Sequence, residues 1–200
     1  MGAVYLFDMT KDDIIALPNT HLRQKSERVG VITDEILKIV AEMEAATISW
    51  DNSRDHEVGV ALAAVQIDKL YKIVVVRNNY DDKEDHSFTT FINPEITKFE
   101  GKVEADYEGC LSVPNVYGKV PRHSKVKIKA INVKGQEFRV TAEGFLARIF
   151  QHEIDHTNGL VFIDHIRDDR DAFFKLDAKG ELKKLDYQTE IETNKELWEA

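Results

Sequence analysis

Cysteine is almost absent from the chain: Cys110 is the only one in 200 residues. No internal disulfide can form, so a stapled secreted scaffold is excluded and a reducing compartment is favoured. Proline (4) and glycine (10) are too few for a collagen-like or low-complexity chain. No apolar run approaches the ~20 residues of a membrane-spanning helix. The start of the chain has no basic region and meets acids at Asp8, Asp12 and Asp13, unlike a secretory or transit peptide. Gly2 is present, but Leu6 stands where a myristoylation signal needs Ser or Thr. These absences predict a cytoplasmic protein with no membrane partner. Basic residues are also outnumbered, 27 to 36, for a net charge of −9, and they form no cluster. Such a field repels phosphate backbones, so strong nucleic-acid binding is not expected.

What is present is enough for one globular domain with a real core: 200 residues, 42% of them hydrophobic. Residues 34–46 place Ile36, Leu37, Ile39, Val40 and Met43 at helical spacing behind a Thr33 cap, which predicts a core-facing helix. Residues 48–57 and 78–87 are polar and turn-rich and read as surface loops. Residues 72–76 (KIVVV) read as a buried strand, and 125–131 with 137–141 as an antiparallel pair around Lys134-Gly135. Residues 143–157 read as a helix closed by Asn158-Gly159, with a short apolar run over 160–163. The tail from Glu181 carries six acids and three lysines. One α+β domain spanning 1–200 fits this order.

The sharpest chemical signal is His152-Glu153-Ile154-Asp155-His156. Helical residues four apart lie ~40° apart around the axis, so both imidazoles can reach one metal ion. Glu153 then lies where a carboxylate can move a proton of water at that ion. A catalytic site of this kind needs a third protein ligand. A third histidine would follow the motif in one known class, but Phe162 occupies its place; a glutamate about twenty residues on would serve another, but Ala172 stands there. Cys110, in Glu108-Gly109-Cys110-Leu111-Ser112, is the remaining candidate, balanced against a merely buried thiol. Gly109 beside it would let the backbone approach the metal closely. A third segment, Gly59-Val60-Ala61-Leu62-Ala63-Ala64-Val65-Gln66, offers backbone that a substrate can approach and an amide N–H for a developing oxyanion. Around the 152–156 helix, Phe145 and Ile149 share the ligand face and Phe150 points away. With Val60 they form a candidate apolar pocket.

In this order the three segments resemble the peptide deformylase family, whose motifs are GxGLAAxQ, EGCLS and HExDH. The resemblance runs from about residue 17 to 166, taking in Val120-Pro121-Arg122 and NGLVFIDHI, and leaves 167–200 as a C-terminal tail. It implies antiparallel sheets packed around a central metal-binding helix, with a further helical segment at the C-terminus. It places the metal ligands on Cys110, His152 and His156, and the catalytic roles on Glu153, Gln66 and the Leu111 N–H. Gly59, Val60, Ala61, Phe145 and Ile149 fall to substrate binding. The implied reaction removes the formyl group from N-formylmethionyl peptides at the start of new polypeptides, releasing formate. The implied cofactor is one divalent ion per chain, Fe(II) in the family, with Zn(II), Ni(II) or Co(II) as replacements. Rival readings are an endopeptidase and a non-catalytic peptide-binding relative.

Two departures stand out. Ala61 replaces the second glycine of GxGLAAxQ, so its methyl either strains a positive φ or crowds an incoming peptide. The acidic tail lacks the basic helix through which some relatives are thought to dock on ribosomes, so only transient ribosome proximity is expected.

Overall fold

The structure is a computed structural model that describes residues 9–53 and 58–198. Helix α1 (Asp34–Asp51) starts where the Thr33 side chain accepts from the Ile36 N–H at 3.4 Å, with Asp34 and Glu35 placed favourably toward the helix dipole. Ile36, Ile39, Val40 and Met43 form its buried stripe. Leu37 does not join them: it lies ~100° from Ile36 and is 41% exposed. The helix also runs five residues beyond the expected 46, so 48–51 are helical rather than loop. The buried stripe continues through Ala46, Thr47 and Asp51, and the polarity of Asp51 is answered by Arg77 from another element. Asn52 and Ser53 form a turn after the helix, and the remaining part of the expected loop, 54–57, lies outside the described residues, as do residues 1–8 and 199–200.

Among the described residues, seven strands, β1 (Ala61–Ala63), β2 (Ile73–Arg77), β3 (Phe88–Cys110), β4 (Val113–Ile131), β5 (Glu137–Glu143), β6 (Phe173–Leu176) and β7 (Leu182–Lys184), form one connected antiparallel sheet in the order β1-β2-β3-β4-β6-β7, with β5 on β4. β1 and β2 are buried throughout, which is why they read as continuous apolar runs. β3 and β4 are long, and register shifts at Ile92/Glu95, Ile96/Lys98 and Glu100/Val103 interrupt their ladder. Such irregularities bend and twist a strand pair. β5 pairs with β4 from Ile131↔Glu137 to Lys125↔Glu143, the hairpin the alternation predicts. The Asn132 side chain accepts from the Lys134 and Gln136 amides and shapes its turn.

Helix α2 (Gly144–His156) follows directly and packs on β4, β1 and β5. Phe150 meets Phe91 edge to face at 4.8 Å between centroids, which fixes the helix on the sheet. Gln151 adds polar ties, accepting from the His123 N–H at 3.0 Å and donating to the His123 carbonyl at 2.8 Å. Asn158 donates to the Ile154 carbonyl as the helix ends. The apolar run after it leads into a 3₁₀ turn, Phe162–Ile166.

Past this point the chain forms a hairpin, β6 (Phe173–Leu176) and β7 (Leu182–Lys184), joined to β4 through Gly118↔Phe173 and Tyr117↔Phe174. A π-helical turn (Tyr187–Glu192) and α3 (Lys195–Trp198) follow. The acidic tail is therefore docked: Leu185, Ile191 and Leu197 are buried, and Arg23 donates to the Leu197 carbonyl at 3.0 Å. Among the described residues, no helix is long and apolar enough to cross a membrane.

Candidate metal centre and active site

β3 and β4 are joined by the two residues Leu111 and Ser112, because Cys110 already pairs with Val113. This tight turn presents the Cys110 thiol to the face of α2 that carries His152 and His156. One ligand atom from each of the three lies within 4.8 Å of the others, and Cys110 Sγ is 3.2 Å from His156 Nε2. The helix supplies two donors at i and i+4 and the hairpin the third. A thiolate and two imidazoles suit a divalent transition metal, and the three protein donors leave a position open for reactants.

Glu108 sets the tautomer of His152. Its Oε2 lies 2.9 Å from His152 Nδ1, and an ionised carboxylate only accepts, so Nδ1 carries the proton and Nε2 is left to ligate. Burial opposes ionisation of Glu108, yet His152 and Arg122 beside it hold its carboxyl well below the usual range. Arg122 bonds both Glu108 oxygens, at 2.9 and 3.1 Å. Arg148, one turn before His152 on α2, donates to Glu108 Oε1 at 2.7 Å. Arg122 also reaches Asp155, which accepts from His165 at 2.7 Å. None of Glu108, Arg122, Arg148, Asp155 and His165 carries a role that the sequence alone assigned. Glu108, Arg122, Asp155 and His165 stand inside the segments that carry the family resemblance, whereas Arg148 has no such signal; Glu108, Arg122 and Arg148 are buried and His165 is exposed.

Glu153 is buried, and its Oε2 has no hydrogen-bond partner among the described residues. Burial pushes its pKa up to about 7, against the opposing charge of His152. Gln66 is pinned at its other end: its Oε1 accepts from the Ala63 N–H at 2.8 Å. The amide nitrogen therefore faces Ser112 Oγ at 3.2 Å and Cys110 Sγ at 3.7 Å. Ser112, fully buried, is a further site residue that sequence reasoning missed.

A cavity of about 700 Å³ opens over these groups. Gly59, Val60, Ala61, Gln66, Leu111, Phe145, Ile149, His152, Glu153 and Cys110 all line it, so the three sequence segments converge on one space. Phe150 faces the core instead. Trp50 from the last turn of α1 and Ser53 just beyond it also line the cavity, which gives this part of the expected 48–57 loop a place at its wall.

One expectation needs correction and two others become specific. The space left by Gly109 is filled by the Tyr117 ring, which a Cβ would meet at 2.6 Å, so this glycine serves strand packing rather than approach to a metal. The bare side of Gly59 faces α1, where a Cβ would lie 2.9 Å from Thr47 Cγ2. Ala61 is paired with Val76 inside β1 and is not among the positive-φ residues, so its methyl causes no backbone strain.

Fold and donor set together define a metallohydrolase. The polypeptide deformylase family model matches residues 11–172. A peptide deformylase of Thermomicrobium roseum is 40% identical over 158 residues, covering 78% of this chain and 85% of the relative. One from Halothermothrix orenii is 45% identical over 145 residues, covering 72% and 86%. The crystal structure of a peptide deformylase from Synechococcus elongatus in complex with actinonin superposes with a TM-score of 0.67 at 34% identity, covering 76% of each chain. The chain belongs to the peptide deformylase family: it is a metal-dependent hydrolase that removes the N-formyl group from newly made polypeptides.

Proposed function

We propose that Glu153, Gln66 and the Leu111 N–H carry out the deformylation of N-formylmethionyl peptides, at a centre held by Cys110, His152 and His156. The observation that carries this reading is the pairing of a buried carboxylate oxygen without a partner with an amide nitrogen pinned toward the thiol. Cys110, His152 and His156 would hold a divalent ion, Fe(II) first and Zn(II), Ni(II) or Co(II) as replacements, which would supply Lewis acidity near neutral pH. Glu153, poised near 7, accepts the proton of the attacking water. Gln66 Nε2 and the Leu111 N–H donate to the oxygen of the formyl group as negative charge develops on it. Glu153 then returns the proton to the departing amine, so formate and a free N-terminus leave together. Val60, Phe145 and Ile149 give the methionine side chain an apolar wall. Cytoplasmic location and transient proximity to the ribosome follow from this substrate.

The test is a turnover assay under anaerobic Fe(II) or with Ni(II), comparing formyl-Met-Ala with acetyl-Met-Ala and with an internal peptide bond. Formate release from the first substrate alone is the expected result. Cleavage of the internal bond points to an endopeptidase, and binding without turnover to a non-catalytic relative.

A further inference from the structure

The β6–β7 hairpin begins at Phe173, one residue beyond the span that the family model matches, yet Leu176, Asp177, Gly180 and Leu182 line the active cavity. We infer that this hairpin is a specificity element, whose Leu176 and Leu182 form an apolar subsite for the third or fourth residue of the formylated peptide. The inference rests on the deformylase reading above.

Sheet register carries the argument. Residues paired across strands share a face, and so do residues two apart along one strand. Gly109 pairs with Tyr117, Tyr117 with Phe174, and Phe174 with Lys184. Leu176 lies two residues after Phe174 and pairs with Leu182. The face that carries Gly109 therefore continues, through Tyr107 and Tyr117, to the two leucines, and residues of this face line the cavity together with Cys110. Tyr107 meets Phe174 edge to face at 5.0 Å, which braces the hairpin against β3. Both leucines are half-buried, with their remaining apolar surface toward the cavity. Asp177 does not compete for a peptide there, because its carboxylate accepts from the Lys179 and Glu181 amides and holds the turn.

Distance selects the peptide residue. Two strand spacings of about 4.8 Å and two residues along β6 put Leu176 roughly 12 Å from Gly109. An extended peptide covers roughly that span with three to four residues at ~3.3 Å each. With the formyl group at the metal centre and methionine in the inner pocket, the side chain at the leucines belongs to residue three or four.

The experiment compares kcat/KM for formyl-Met-Ala-Leu-Leu and formyl-Met-Ala-Asp-Asp, with formyl-Met-Ala as reference. It also measures calorimetric binding of the product peptides Met-Ala-Leu-Leu and Met-Ala-Asp-Asp. The wild-type enzyme is expected to favour the leucine peptide by about ten-fold or more, the discrimination an apolar pocket typically achieves. Leu176→Ser with Leu182→Ser is expected to bring that ratio close to one. Leu182→Lys is expected to shift it toward the aspartate peptide, a gain that misfolding cannot produce. A wild-type ratio near one, or a ratio that neither variant moves, overturns the hairpin inference. If formyl-Met-Ala is itself not turned over, the deformylase reading fails instead.

Discussion

Glu108 Oε2 lies 2.9 Å from His152 Nδ1, while Arg122 and Arg148 bind the same carboxylate from β4 and α2. The carboxylate two residues before the candidate thiol ligand thus orients the candidate imidazole ligand, and His152 with the buried Arg122 keeps it ionised. Glu108→Gln is expected to weaken divalent metal binding by about 10- to 100-fold. Competition against a chromophoric chelator measures it; unchanged affinity would mean that packing alone orients the ring.

Glu153→Gln is expected to keep its metal and lose turnover. The amide preserves shape but cannot accept a proton, and acid–base catalysis is typically worth ~10²- to 10⁴-fold. Metal content is checked alongside kcat; a metal-replete variant with near-normal rate would remove Glu153 from the mechanism.

Cys110→Ser is expected to lower metal content, since an alcohol is a poorer ligand than a thiolate for these ions. The Fe(II) form of the wild-type enzyme is expected to lose activity in air faster than the Ni(II) form, through oxidation of iron or thiolate. Timed assays in air and under nitrogen follow both. An iron form that persists indefinitely in air would argue against iron beside an accessible thiolate.

Asp51 and Arg77 form an ion pair whose side chains are 5% and 0% exposed, and both hold Gly59: Asp51 accepts from its N–H and Arg77 donates to its carbonyl. Asp51→Asn leaves the guanidinium buried without its counter-charge. Loss of about 3 to 5 kcal/mol is expected, read by denaturant unfolding. KM for formylated peptides is expected to rise, because Gly59 and Val60 border the cavity.

Ala61→Gly removes a methyl that lines the cavity from a strand with no positive φ. Stability is expected to fall by roughly 0.5 to 1 kcal/mol through added backbone freedom, with a rise in kcat/KM for formyl-Met peptides as crowding is relieved. Unchanged kinetics would show that the site accommodates the methyl.

Local chemistry made much of this protein legible in its sequence. The spacing of His152 and His156 follows from the helical repeat, the buried β2 from its apolar run, and the β4–β5 hairpin from alternation around a turn. Those are short-range properties, set within one or two elements. Asp51, Glu108, Arg122 and Arg148 behave differently. As single letters they are ordinary surface charges, and only pairing between residues 14 to 40 positions apart makes their burial possible. The same holds for Gly59 and Gly109, whose missing side chains answer to Thr47 and Tyr117 across the fold. The β6–β7 hairpin reaches the cavity through its pairing with β4, a register that no local pattern in 173–184 specifies. The sequence determined which groups could do chemistry. Tertiary structure decided which charges could be buried and which distant segment closed the wall, because burial and strand register depend on partners far along the chain.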